Sequence, residues 1–164
     1  MEEIREAVNK DMETVYMMGY DAWGDNMPTK EYIEMCHKSS KYKRGNWYVL
    51  ERTDTKELLS SLIVYELNPS EEIIVRGIGS ISTPVHLRKK GYASKLIEKV
   101  VDHLEQNQNC NNYFLYSDIG VQLYKKLNFI DLPSSKQKYN DSICMYYSKF
   151  NDVSSISFEI PDYF

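Results

Sequence analysis

Cysteine is scarce in this sequence, and what there is does not pair. Cys36, Cys110 and Cys144 are odd in number and far apart, with no C-x-x-C spacing. They read as idle thiols of a reducing compartment, not as a disulfide framework. His37, His86 and His103 are equally scattered, so no metal site is expected. Seven glycines and five prolines in 164 residues fall below the usual combined share of about 12%. That excludes collagen-like, linker-like and low-complexity chains. A basic surplus is also missing, because 20 Lys and Arg face 24 Asp and Glu for a net charge of −4. A protein that grips nucleic acid through its phosphates carries the opposite excess. Apolar runs such as Leu62-Ile63-Val64-Tyr65 are far shorter than the roughly 20 residues a bilayer requires. The opening Met1-Glu2-Glu3-Ile4-Arg5 is too acidic for a secretory leader. The expectation is a cytoplasmic protein with neither a membrane nor a nucleic-acid partner.

What the chain does hold is ordinary globular material: 42% apolar and 27% charged residues, with 14 tyrosines as the one excess. A chain of this length buries roughly 70% of its unfolded surface, enough for a core without staples. No linker or repeat interrupts residues 1–148, which are expected to form a single domain. Residues 149–164 start polar and end Ile160-Pro161-Asp162-Tyr163-Phe164. They read as a C-terminal arm that packs either on the domain or on a partner.

Periodicity orders the elements. Met12, Val15, Tyr16 and Gly19 share a helical face over residues 9–20, with Asn9 as N-cap. Thr29 caps a second helix bearing Tyr32, Ile33 and Cys36, and Trp23 to Pro28 forms the loop between them. Strands are expected at Trp47 to Arg52, Leu58 to Leu67 and Ile73 to Thr83, the first two joined by a turn at Thr53-Asp54-Thr55-Lys56. Ala93, Leu96, Ile97, Val100, Val101 and Leu104 line the clearest helix, with Lys95, Glu98, Lys99 and Asp102 opposite. A short buried strand at Tyr113 to Tyr116 follows, then a helix face on Gly120, Leu123, Tyr124 and Leu127, capped by Asp118. Phe129 to Leu132 and Ile143 to Tyr147 are the last strands. Strands alternating with single helices predict an α/β (α+β) fold, a mixed sheet of six to seven strands with helices on both faces.

The chemistry concentrates in Ile81-Ser82-Thr83-Pro84-Val85-His86-Leu87-Arg88-Lys89-Lys90-Gly91-Tyr92-Ala93-Ser94. A strand enters a basic turn, and Gly91 stands where the long helix begins. Helix N-termini expose unpaired N–H groups and partial positive charge, which suits a phosphate. Gly91 permits a positive φ or close backbone approach, and Lys89 and Lys90 add charge. The turn is a candidate pyrophosphate cradle.

A second segment sharpens this reading. Tyr124-Lys125-Lys126-Leu127-Asn128-Phe129 begins 36 residues after Arg88. An R-x-x-G-x-A turn opening a helix, followed by this hexapeptide, resembles the GNAT superfamily of acetyl-CoA-dependent N-acetyltransferases. The motifs cover roughly residues 79–132, and the element order extends the likeness to about 1–148. The resemblance implies a GNAT fold whose splayed parallel strands form the acetyl-CoA site. It implies that Ile81, Ser82 and Thr83 pair with the pantetheine arm, and that Lys89, Lys90, Gly91, Tyr92, Ala93 and Ser94 hold the pyrophosphate. Arg88, the motif arginine, either braces the loop or touches the cofactor. Tyr124 falls on the motif tyrosine near the thioester sulfur and is the candidate catalytic residue. Many members carry a pantetheine-binding Asn seven residues earlier, where this chain has Ser117. Asn128 replaces the usual Gly of the following turn and is the residue that best tolerates a left-handed conformation after Gly.

The implied reaction is acetyl transfer to a primary amine, on a polyamine, amino acid, aminoglycoside or protein, with no metal. Glu66, near a strand end, is the candidate base, with a solvated strand end as its other reading. Trp23, Asp25 and Asn26 fall in the loop that commonly lines the acceptor pocket of this family, or are ordinary loop residues. A non-catalytic acyl-CoA-binding module is the alternative function, and both monomer and homodimer remain open.

Overall fold

Seven strands, in the order β1-β2-β3-β4-β5-β7-β6, form one mixed sheet in a computed structural model that describes residues 1–164. The strands are β1 (Glu2–Glu6), β2 (Asn46–Arg52), β3 (Leu58–Glu66), β4 (Val75–Ser82), β5 (Asn112–Ser117), β6 (Ile130–Asp131) and β7 (Ile143–Tyr147). Helices α1 (Met12–Met18), α2 (Tyr20–Trp23), α3 (Thr29–Lys38) and α4 (Ser40–Lys43) fall between β1 and β2. Helix α5 (Tyr92–Gln108) connects β4 to β5, and α6 (Gln122–Lys125) follows β5. The sheet is antiparallel at β1–β2 and β2–β3, parallel at β4–β5, and antiparallel again at β5–β7 and β6–β7. This is the mixed α/β class that the sequence predicts. No helix is long and apolar enough to cross a membrane.

Several local expectations are corrected. Strand β1 has no counterpart in the sequence pattern, because Ile4 is the only branched apolar residue in Glu2–Glu6. Arg5 holds it instead, reaching Glu51 across the β1–β2 pair and Asp11 beyond the strand end. Asn9 does not cap α1. It opens a short 3-10 turn over Asn9–Asp11, and the Asp11 carboxylate accepts the Val8 N–H at 2.8 Å. Thr29 is the first residue of α3 rather than its cap, which Pro28 occupies; a proline before the first turn forfeits no needed N–H. The loop expected from Trp23 begins later, because α2 runs through Trp23. Asp118 caps nothing, since α6 starts at Gln122 after Val121. The strand expected at Phe129 to Leu132 narrows to Ile130–Asp131.

Contacts divide the chain into two compact units. The first comprises Met1–Val64 with Ser80–Val100. Its core joins Val15, Tyr16, Tyr32, Cys36 and Val49, with Trp47, Tyr42 and Met12 packed against them. The second comprises Tyr65–Gly79 with Val101–Phe164. Its core joins Val75, Phe114, Leu132, Cys144, Tyr146 and Ile160, and Val153, Ile156, Phe158 and Phe164 of the final segment pack on it. Leu96, Ile97, Val100, Val101 and Leu104 of α5 are all buried, each worth roughly 1.5–3 kcal/mol. The three cysteines are buried free thiols.

Candidate active site

In the first unit, the basic turn is shaped by its backbone conformation and by the start of a helix. Lys89 and Gly91 adopt positive φ of 63° and 82°, which swings the chain from the end of β4 into α5. Only glycine takes such a conformation without cost, and a side chain at Gly91 would meet open space. The first intrahelical bond is Lys95 N–H to the Gly91 carbonyl at 3.0 Å. The N–H groups of Tyr92, Ala93 and Ser94 therefore precede the helical ladder, at the positive end of a 17-residue dipole. Lys89, Lys90 and Gly91 are exposed, while Tyr92, Ala93 and Ser94 are half-buried. Arg52 donates to the Tyr92 hydroxyl at 3.3 Å, and Lys95 is paired with Glu2. Two lysines and a row of N–H groups outside the helical ladder therefore lie together at one exposed turn, a donor set that fits a diphosphate.

Arg88 belongs to the frame of this turn. Its Nε donates to the Thr83 carbonyl at 2.9 Å, and its two terminal nitrogens donate to the two Asp21 oxygens at 2.7 Å each. Of the two roles open to the motif arginine, bracing is the one this geometry performs.

The end of β4 is fixed by hydroxyls that sequence reasoning overlooked. Ser60 donates to the Ser82 carbonyl at 2.8 Å and lies 3.0 Å from the buried Thr83 hydroxyl. Ser61 and Ser82 hydroxyls meet at 3.2 Å. The carbonyls of Ser82 and Thr83 thus already accept hydrogen bonds. Two adjacent serines inside an otherwise apolar strand were the available signal, since buried hydroxyls require partners. Ser80 has φ of 45° within β4, a strained conformation for a non-glycine residue, and it hydrogen-bonds Tyr42. The Gly79-Ser80 pair in a strand pattern was the signal there. Trp23, Asp25 and Asn26 are exposed, and Asp25 and Asn26 take positive φ of 47° and 56°. His86 is largely exposed, 3.9 Å from Glu57.

In the second unit, Ser117 and Tyr124 share one loop-and-turn. Ser117 is buried, and its hydroxyl donates to the Gly120 carbonyl, so its proton is committed to its own loop and its lone pairs remain. The Tyr124 carbonyl accepts from both Leu127 and Phe129 N–H at 3.0 Å. Asn128 takes the left-handed φ of 66° that ends the turn, and Phe129 is buried against Tyr147 with ring centroids 5.4 Å apart. These contacts hold the half-buried Tyr124 in place. Burial pushes its phenol above the usual value, and the Asp118 carboxylate adds to the shift. Tyr124 therefore stays protonated throughout the neutral range. Glu66 is 73% exposed at its strand end, 3.8 Å from Arg76.

Comparison with known proteins bears on the fold and the family. A family model described as an acetyltransferase (GNAT) domain matches residues 3–130. Among solved structures, Arabidopsis thaliana NAA60 in complex with acetyl-CoA superposes with a TM-score of 0.65 at 16% identity, covering 91% of this chain and 99% of that one. Mutant forms of the spermidine/spermine N-acetyltransferase SpeG from Vibrio cholerae give 0.65 at 17% identity, covering 91% and 95%. A chimera of the Vibrio cholerae and hSSAT enzymes gives 0.68 at 17% identity, covering 90% and 95%. No curated protein sequence matches the chain.

Proposed function

The chain belongs to the GNAT acetyltransferase family, and from that premise we propose that it transfers an acetyl group from acetyl-CoA to a primary amine. The observation that carries the reading is the exposed turn at Lys89–Gly91 heading the 17-residue α5, with positive φ at Lys89 and Gly91. In this reading Lys89, Lys90, Gly91, Tyr92, Ala93 and Ser94 hold the diphosphate, and Ile81, Ser82 and Thr83 align the pantetheine arm. Ser117 accepts a hydrogen bond from that arm through its free lone pairs. Acetyl-CoA, when bound, supplies the activated acyl thioester. That one relative is solved with acetyl-CoA and another is a spermidine/spermine N-acetyltransferase supports the reagent and the amine class.

The reaction makes two demands. The acceptor must be a free amine, and deprotonating a lysine-like amine of pKa about 10.4 costs roughly 4 kcal/mol near pH 7.4. The departing sulfur needs a hydrogen-bond donor as charge collects on it. Tyr124 is that donor. An unperturbed phenol near pKa 10 is already a weaker acid than a thiol near 8.5, and burial raises Tyr124 further. Its role is donation without full proton transfer: as the N–C bond forms and the C–S bond breaks, the proton that completes the thiol comes from the attacking nitrogen, which is cationic once bonded to the acyl carbon. Arg88 keeps the turn in register with the strand end through Thr83. Glu66, exposed and paired with Arg76, has the surroundings of a solvated strand end.

The test is thermal unfolding with acetyl-CoA, free CoA and ATP in parallel. A ligand at a hundred times its Kd adds about 2.7 kcal/mol, which raises Tm by roughly 5–11 °C at this size. A shift with both CoA species and none with ATP is expected. No shift with either CoA species overturns the reading. Binding without turnover on an amine panel favours the non-catalytic acyl-CoA module instead.

A further inference from the structure

The first unit holds a cavity of about 240 Å³ where the end of β1, helices α1, α3 and α4, and the start of β2 come together. None of the residues lining it belongs to the basic turn, to β4 or to α5. One wall is aromatic. Tyr16 and Tyr42 lie nearly parallel with ring centroids 5.9 Å apart. Trp47 stands across both, 6.1 Å from Tyr16 and 5.1 Å from Tyr42, and His37 meets Tyr16 edge-on at 5.1 Å.

These rings are held by the fold itself. The Tyr42 N–H donates to Ser39 Oγ at 3.2 Å, and the Tyr42 side chain hydrogen-bonds Ser80. The Trp47 carbonyl accepts the Ala7 N–H at 2.9 Å, and the Tyr16 carbonyl accepts the Tyr32 hydroxyl at 3.0 Å. A ligand therefore meets a wall already in place, which spares it the cost of ordering these side chains.

Two charges of opposite sign share the same cavity. Glu6 and Lys43 both line it and are exposed, and no salt bridge or side-chain hydrogen bond engages either. Opposite charges that flank so small a space without pairing leave room for a molecule that carries both signs. A lone cation gains from Glu6 and from the ring faces but is opposed by Lys43. A lone anion gains from Lys43 but is opposed by Glu6 and by the negative faces of the rings. A zwitterion satisfies both ends at once. The cavity is also smaller than the roughly 300–1,000 Å³ of sites for drug-sized ligands, so the ligand is a small metabolite.

We propose that this cavity binds a free α-amino acid with an apolar side chain. Its ammonium group lies at Glu6, its carboxylate at Lys43, and its side chain against Tyr16, Tyr42 and Trp47. The inference stands on this cavity and does not depend on acetyl transfer. Contacts between exposed charges contribute up to about fivefold each in affinity.

The chain has two tryptophans, so Trp23→Phe leaves Trp47 as the sole indole, on the cavity wall. The experiment titrates Trp23→Phe with L-leucine, L-phenylalanine, isoamylamine and isocaproate, the last two being leucine without its carboxylate and without its amino group. Trp47 fluorescence is expected to change saturably with both amino acids, and the leucine Kd to be at least threefold below that of either analogue. Glu6→Gln should weaken leucine and isoamylamine threefold or more and spare isocaproate, and Lys43→Met should weaken leucine and isocaproate and spare isoamylamine. Calorimetric titration of the unsubstituted chain gives the same ranking without relying on Trp23→Phe. Silence with both amino acids in fluorescence and calorimetry overturns the inference. Isoamylamine binding as tightly as leucine, or a leucine Kd that neither Glu6→Gln nor Lys43→Met moves, overturns it equally.

Discussion

Asp21 and Arg88 meet through two parallel hydrogen bonds of 2.7 Å although 67 residues separate them. The guanidinium that grips Asp21 also holds the Thr83 carbonyl through Nε. One side chain thus ties the end of β4, helix α2 and the basic turn together within the first unit. Such a fork is geometrically specific even where its energy is small.

That energy is expected to be small, because Arg88 and Asp21 side chains are 40% and 43% exposed. Asp21→Asn is predicted to lower stability at neutral pH by no more than about 1 kcal/mol. Arg88 holds the Asp21 carboxyl below its ordinary value of 3.8. A lowered folded pKa contributes stability above the unfolded value and loses it as pH falls through the folded one. The difference between Asp21→Asn and the wild type should therefore vanish in acid. Urea unfolding at pH 7 and at successively lower pH below 3.8 checks this, and a gap that does not narrow as the pH falls sinks it.

Arg5 carries a heavier load. It donates to Asp11 at 2.6 and 3.1 Å and to Glu51 at 3.0 and 2.7 Å, and those carboxylate side chains are only 7% and 13% exposed. Replacing it with Met leaves Asp11 with the Val8 N–H and Glu51 with the exposed Lys56 at 3.3 Å as their remaining partners, and loosens β1. A loss of about 2 kcal/mol is expected, below the 3–5 of a fully buried pair because Arg5 itself is a third exposed. Arg5 holds Asp11 and Glu51 below their ordinary 3.8 and 4.5. The stability it confers is therefore complete above pH 4.5 and disappears as both carboxylates protonate below their lowered values. Denaturant curves for Arg5→Met should converge on the wild type in acid, and a pH-independent gap refutes the ion-pair account.

How much of this was legible in the sequence follows from the kind of force involved. Helix α5 was plain because five buried aliphatic residues repeat at helical spacing. Asn128 announced its left-handed turn by residue type, and its φ is 66°. Strand β1 stayed hidden because ion pairs hold it at an edge, and no alternation of apolar residues records an ion pair. The brace between Asp21 and Arg88 was invisible for a similar reason, since a pairing across 67 residues leaves no local pattern. Ser80 carries a positive φ that its residue type does not advertise. The candidate turn was readable from Arg88, Gly91 and the helix behind them, whereas the hydroxyls of Ser60 and Ser61 that steady its approach came only with the strand register.

Tyr124 gives the most direct test of the chemistry. Its phenol is pushed above the ordinary value of 10 by burial and by Asp118, so it remains a donor wherever the reaction is assayed. A hydrogen bond to a group gaining charge is worth about 1.5–3 kcal/mol. Tyr124→Phe should therefore lower kcat by roughly 10- to 100-fold while leaving the Kd for CoA within twofold, because the phenol serves the departing sulfur rather than the diphosphate. The pH profile supplies an independent reading. In the wild type kcat/KM should climb as the amine loses its proton, and no descending limb should appear below about pH 10, since Tyr124 is still protonated there. A descending limb near neutrality that Tyr124→Phe abolishes would mean that the phenol ionises early and works as a true acid. Unchanged turnover in Tyr124→Phe would remove the residue from the chemistry and leave it as a packed side chain of its turn.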